Sequence, residues 1–285
     1  MRPMRADAPP LIFDRTLYRR RRARVAASFA AFDFLHARAM ADVTDRLESV
    51  TRGFPLALFY GAGPLTRMLT PACGVGDIID GDLALQRVAG DGASVAFDEE
   101  ASPFASASFD LIVSLLTLHA SNDPVGALAQ MRTALKPDGL LIAVLFAEET
   151  LAELRAALYE SETECAGGVS PRIAPFAGVK DLGAALQRAG LALPVADLDR
   201  VRVSYADPSR LFADIRGMGE ASCLKRRGKG LRRDTLGAAA GRVATGGTVT
   251  FDLVTLTGWA PHESQQQPKA RGSATQSLKA ALENF

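Results

Sequence analysis

Five short strand-like runs, separated by turns and helical stretches, constrain this chain more than any other feature. They fall at 55–60, 77–80, 93–97, 109–114 and 140–146. Runs that are apolar on both faces and separated by helices form a parallel sheet covered on both sides. Ala127, Leu128, Met131 and Leu135 stand at helical spacing in 123–135, with Asn122 or Asp123 as the cap. Residues 149–164 and 179–189 also read as helices, the second ending at Gly190, a natural C-cap. Lys136, Pro137, Asp138 and Gly139 read as a turn. A sixth strand is expected at 201–205 and a seventh at 249–259, with a helical insertion at 208–242 between them. Ahead of the sheet, 14–50 is mostly helical, with Asp14 as N-cap and Phe29, Phe32, Leu35 and Met40 as a buried stripe. The expected fold is α/β and Rossmann-like, a mostly parallel seven-stranded sheet with helices on both faces. The expected division is an N-terminal arm and helix over 1–50 with a mobile start at 1–10, a main domain over 51–260, and a polar tail over 261–285.

Composition narrows the partners. Apolar residues make up 48% and charged residues 23%, which suits a soluble globular chain with a sizeable core. The net charge is +1, so no global charge draws the chain to nucleic acid, and no nucleic-acid partner is expected. The basic residues cluster twice, at 19–22 and at Lys225, Arg226, Arg227, Lys229, Arg232 and Arg233. Each cluster fits a solvated helix face or surface loop; the first also offers a dock for acidic lipid. Cys73, Cys165 and Cys223 are far apart and odd in number, so neither zinc nor a disulfide framework is implied and a reducing compartment fits. His36, His119 and His262 are equally scattered, and no metal is expected. No eighteen-residue apolar run is present. The N-terminus lacks the apolar core of a secretory signal. Its acidic Asp7 and Asp14 and lack of serine are unlike a transit peptide.

The chemistry-bearing positions follow the strands. Gly61, Ala62 and Gly63 close the first strand, where glycine lets backbone approach a ligand. Asp82, with Leu83 beside it, lies about twenty residues on, where an acid accepts ribose hydroxyls in dinucleotide folds. Asp98 and Glu99 follow the third strand, where a carboxylate could accept from an exocyclic amine. Ser114 closes the fourth strand, and His119 just beyond is a candidate general base. Each position also has a plain reading: a tight turn, an exposed acidic turn, a packed histidine. Trp259 fits core better than a stacking platform.

Several stretches carry a family resemblance. Ser102-Pro103-Phe104, the 109–114 strand, Leu118-His119 and Leu135-Lys136-Pro137-Asp138-Gly139 are similar to class I methyltransferases in general. Gly167-Gly168-Val169-Ser170-Pro171, Asp181-Leu182-Gly183, Gly217-Met218-Gly219-Glu220, Arg233-Asp234-Thr235 and the 258–275 run are more specific, and the likeness runs from Phe13-Asp14-Arg15 to the tail. Through them the chain resembles the methyltransferase-like assembly factors of respiratory complex I. More distantly it resembles the malonyl-carrier-protein methyltransferase of biotin synthesis. The resemblance implies an S-adenosylmethionine site at Gly61, Ala62, Gly63, Asp82, Leu83, Asp98, Glu99 and Ser114. It also implies a protein substrate, an arginine of a complex I subunit, modified by methylation or hydroxylation. A non-catalytic assembly chaperone and a carrier-protein methyltransferase are the alternatives. The resemblance transfers no catalytic residue and leaves the oligomeric state open. A cytoplasmic location is expected, at the inner face of the respiratory membrane with peripheral association. The glycine loop departs from the family pattern: Phe59 stands where an acid is usual, Leu65 where a third glycine is usual, and Pro64 lies between. Loss of that acid removes a charge-assisted hydrogen bond of about 1.5–3 kcal/mol, which lowers the expected cofactor affinity by about one to two orders of magnitude. Ala120 replaces an aromatic usual after His119.

Overall fold

The structure is a computed structural model that describes residues 11–88, 92–228 and 230–266. The arm over 1–10, Lys229 and most of the expected tail, with its 271–275 motif, lie outside the described residues.

Seven strands form one sheet in the order β3-β2-β1-β4-β5-β7-β6. They are β1 (Phe54–Tyr60), β2 (Val75–Asp82), β3 (Ala93–Ala96), β4 (Phe109–Leu115), β5 (Leu135–Phe146), β6 (Ala192–Ser204) and β7 (Thr248–Trp259). The first five pair in parallel, and β7 runs antiparallel between β5 and β6. β1, β4 and β5 are buried along most of their length, so apolar side chains serve both faces. Helices α2 (Phe34–Glu48), α4 (Ala152–Ala166), α6 (Pro208–Met218) and α7 (Arg233–Gly246) pack one face with Phe59, Val113 and Phe251. Helices α3 (Pro124–Ala134) and α5 (Val179–Arg188) pack the other with Leu58, Ile112 and Leu141. This is the expected seven-stranded Rossmann-like α/β fold.

Three local expectations change. β6 begins at Ala192, not 201, because it is an edge strand whose burial alternates and which mixes Asp197, Asp199 and Arg202 among its apolar residues, the two acids on the face that Val201 and Val203 share and Arg202 on the other. Both acids bind α2, through Arg38–Asp199 and Arg46–Asp197. The turn at 136–139 is a bulge inside β5: Phe109 pairs with Leu135 and Leu111 with Leu140, and Asp138 takes a left-handed φ of 60°. The long N-terminal helix breaks in two. Helix α1 (Arg15–Val25) starts at Asp14, whose side chain accepts from the Leu17 amide, and a 3-10 segment, Ala26–Ala31, turns the chain into α2.

That break positions the site. It lets α1 lie across the carboxyl edge of the parallel strands while α2 packs a face. The preceding segment is fixed there: Phe13 bridges Leu224, its amide donates to the Asn122 side chain (2.8 Å), and Lys225 N donates to Ile12 O (2.7 Å).

Candidate functional site at the carboxyl edge of the sheet

Parallel pairing places the ends of β1, β2, β3 and β4 side by side, so Gly61, Asp82, Asp98 and Ser114 gather at one edge. The structure puts helix α1 over them. Arg15, Tyr18 and Arg22 recur at a spacing that keeps them on one helix face, and each reaches down to an acid.

Arg22 meets Asp82 with two nitrogens: Nε donates to Oδ1 (3.1 Å) and Nη2 to Oδ2 (2.6 Å). Arg22 is 0% exposed and Asp82 1%. Asp82 Oδ1 also accepts from the Ala84 amide at 2.8 Å. Burial disfavours charge on Arg22, yet Asp82 and Tyr18 outweigh it and hold the guanidinium charged. Arg22, expected on a solvated face, is therefore among the most buried side chains of the protein. Arg15 donates to Asp98 (2.7 Å) and Glu99 (3.2 Å) and to the Ala120 carbonyl (3.1 Å). Burial raises the Glu99 carboxyl above its ordinary value, against the pull of Arg15 and the Thr117 hydroxyl. That hydroxyl donates to Glu99 at 2.8 Å and contacts the buried Ser114 hydroxyl at 3.0 Å.

The glycine loop is closely packed. Gly61 has φ +81°, and a Cβ there would lie 2.6 Å from Leu115 O and 2.6 Å from a Thr117 methyl. Gly63 faces the Arg87 carbonyl in the same way, at 2.7 Å. Ala62, Phe59 and Leu65 are buried in the core. Leu83 and Asp98 instead line an open groove of about 490 Å³ between α1 and the ends of β2 and β3, with Phe97 and Ala96.

A second group lies beyond α1, and only His119 of it stood out in the sequence. His119 Nε2 and Glu220 Oε2 are 2.8 Å apart. The Tyr18 hydroxyl donates to Glu220 (3.1 Å) and accepts from Arg22 (3.2 Å). Burial pushes the Glu220 carboxyl up, but His119, Arg22 and Tyr18 outweigh it and hold it below the ordinary glutamate value. His119 packs edge-on to Phe146 with ring centroids 4.9 Å apart. One chain of contacts thus runs Asp82–Arg22–Tyr18–Glu220–His119. Arg15, Tyr18, Arg22 and Glu220 were missed as site residues. The helical spacing of the first three is the signal the sequence offers, and Glu220 lies in the Gly217-Met218-Gly219-Glu220 stretch.

A family model described as a methyltransferase domain matches residues 60–143. The chain is 39% identical over 284 residues to the human protein named arginine-hydroxylase NDUFAF5, mitochondrial, covering 94% of this chain and 82% of that one. It is 31% identical over 175 residues to the malonyl-[acyl-carrier protein] O-methyltransferase of Laribacter hongkongensis, covering 59% and 57%. Among solved structures it superposes on phosphoethanolamine N-methyltransferase 2 of Haemonchus contortus, in complex with phosphomonomethylethanolamine and S-adenosylhomocysteine. The TM-score is 0.52 at 12% identity, covering 86% of this chain and 60% of that one. That likeness shows the fold, which is the class I fold of S-adenosylmethionine-dependent methyltransferases. The expected cytoplasmic location is corrected: the relatives from human, zebrafish and mouse are named as mitochondrial proteins. Among the described residues no helix is long and apolar enough to cross a membrane. With matches of this identity along nearly its whole length, the chain belongs to the arginine-hydroxylase NDUFAF5 family.

Proposed function

We propose that this protein modifies an arginine side chain of a respiratory complex I subunit during assembly, by hydroxylation, on a class I methyltransferase-like fold. Inserting the oxygen is a two-electron oxidation that takes an external oxidant of the dioxygen class with its own electron donor, not the methyl group of S-adenosylmethionine. The observation that carries the reading is the relation to arginine hydroxylases over 94% of the chain. The carrier-protein reading has less behind it, since that match covers 59% of the chain.

The site has a place for an adenosine-bearing cofactor. The groove beside Leu83, Phe97 and Asp98 has an apolar side and a part-exposed acid, which suit an adenine, and Arg15, Arg19 and Arg20 of α1 line its other side. Asp82 is different. Its two oxygens already take three hydrogen bonds within this chain. It suits ribose hydroxyls only when Arg22 withdraws. S-adenosylmethionine, when bound, supplies an electrophilic methyl on sulfur. Of this chain's residues, Asp98 and Leu83 would hold its adenosine end; Gly61 and Gly63 instead let the loop pack on the protein's own Leu115 and Arg87 carbonyls.

A second reading has a specific observation in its favour. Arg15 and Arg22 close the acids of the cleft, as a non-catalytic assembly chaperone would tolerate. Mass spectrometry of complex I subunits from cells with and without the gene separates the readings. A gain of one oxygen on an arginine, present only with the gene, is expected. A gain of one methylene moves the reading to methyl transfer, and identical arginines in both samples favour the chaperone.

A further inference from the structure

We infer that the cavity between α4, α6 and the 219–224 segment receives the arginine side chain of the substrate, with Glu220 and His119 at its base. The inference rests on the arginine-modifying reading and adds where that side chain goes. The cavity has a volume of about 440 Å³ and shares no lining residue with the groove at Leu83 and Asp98. Its size is that of a small-molecule or side-chain pocket.

Walls and base differ in chemistry. Leu151, Leu154, Leu158, Phe176, Phe212 and Ile215 line the walls. Such walls suit the methylene stem of a long side chain. The base presents acceptors. Glu220 is held ionised by its neighbours, and an ionised carboxylate only accepts. In its 2.8 Å contact with Glu220, His119 Nε2 therefore carries the proton. In the neutral ring the other nitrogen, Nδ1, is then an acceptor as well. It is buried and has no hydrogen-bond partner, and the His119 side chain is 4% exposed. Buried polar atoms normally find partners, so a lone acceptor beside a cavity points to a donor supplied from outside.

A guanidinium meets this need. It carries positive charge for Glu220 and five N–H donors for the carboxylate and the ring nitrogen together. A carboxylate or phosphate head group would instead face the charge of Glu220. The other polar groups of the lining do not change this. Arg172 is tied to Glu162 at 2.9 Å, and Arg216 is exposed and donates to the Phe212 carbonyl. Burial pushes the Cys223 thiol up to about 12, so it stays neutral. Ser209 and Ser222 are uncharged.

Calorimetric titration of the full chain with N-acetyl-L-arginine methylamide tests the assignment, with the citrulline analogue as a neutral control. The arginine probe is expected to bind at least about tenfold more tightly than the citrulline probe, the loss of one charge-assisted hydrogen bond. Leu158→Trp, which fills the cavity, and Glu220→Gln are each expected to weaken the arginine probe by about tenfold or more. Leu154→Trp is a second cavity-filling variant that leaves Glu220 with its partners, and it carries the test where Glu220→Gln does not fold. Arginine-selective binding that survives both tryptophan variants overturns this pocket but leaves the arginine reading standing. Equal affinity for the two probes in the wild-type chain overturns both.

Discussion

Arg22 Nη2 lies 2.6 Å from Asp82 Oδ2, and neither side chain is more than 1% exposed. The acid that follows the second strand, where such folds accept a ribose, is here neutralised by the protein's own first helix.

Stability depends on that pair being kept or removed whole. Asp82→Asn leaves a buried guanidinium without its hydrogen-bonded counter-charge, with only Glu220 at 3.7 Å, and should cost about 3 kcal/mol. Combining Arg22→Met with Asp82→Leu should recover most of the loss, because two desolvated charges leave together. Urea unfolding of the single and double variants measures the difference.

The arginines of α1 and an adenosine-bearing cofactor draw on the same acids. Arg15→Gln frees Asp98, whose side chain is 31% exposed, without disturbing the deeper Arg22–Asp82 pair. Affinity for S-adenosylhomocysteine should rise by about tenfold, the value of one charge-assisted hydrogen bond. Calorimetry reads it directly; weaker binding would mean that Arg15 supports the cofactor.

Acid should unfold the protein partly through Glu220. Its carboxyl is depressed in the folded state from an ordinary 4.5, so its contribution is present above that pH and is lost as the pH falls. Glu220→Gln should flatten the acid limb of the stability curve by up to about 1.4 kcal/mol per pH unit. Glu99 runs the other way. Its carboxyl is raised, so its contribution is present below 4.5 and lost as the pH rises through the folded value. Denaturant midpoints of wild type, Glu220→Gln and Glu99→Gln across the acid range should show the opposite signs.

Gly61 cannot take a side chain. Its φ of +81° and the carbonyl of Leu115, 2.6 Å from an added Cβ, combine backbone strain with overlap on rigid backbone. Gly61→Ala should cost about 2 kcal/mol or more, seen as a lowered Tm.

Thiol labelling should follow burial. Cys223 is 6% exposed with its thiol raised to about 12, and Cys73 is fully buried, whereas Cys165 is part-exposed. Iodoacetamide near neutral pH should modify Cys165 first, and peptide mapping by mass spectrometry would show it.

The strands buried on both faces were legible because each reads as a continuous apolar run. β1, β4 and residues 140–146 of β5 are of this kind, whereas β7 mixes Thr250, Asp252, Thr255 and Thr257 among its apolar residues. β6 was cut short because an edge strand mixes charges into its pattern, and periodicity alone does not separate those from a loop. At the site, position after each strand drew attention to Asp82, Asp98, Glu99 and Ser114. What sequence could not show is that Arg15 and Arg22 cover them. That pairing depends on the break at Ala26–Ala31, which turns α1 across the sheet edge. Glu220 escaped notice because Tyr18 and His119, the residues that make it part of a network, are distant in sequence.

The position of α1 also bears on the order in which the chain assembles. Arg22 waits 60 residues for Asp82, Arg15 waits 83 for Asp98, and Tyr18 waits 202 for Glu220. An arginine is not buried before its counter-charge exists. During synthesis the first helix therefore docks only after Asp82 and Asp98 exist, although it precedes them in the chain. Until those acids have left the ribosome, its basic face stands free in solvent, open to any acidic chaperone that meets it, and its last partner, Glu220, comes only in the final third of the chain.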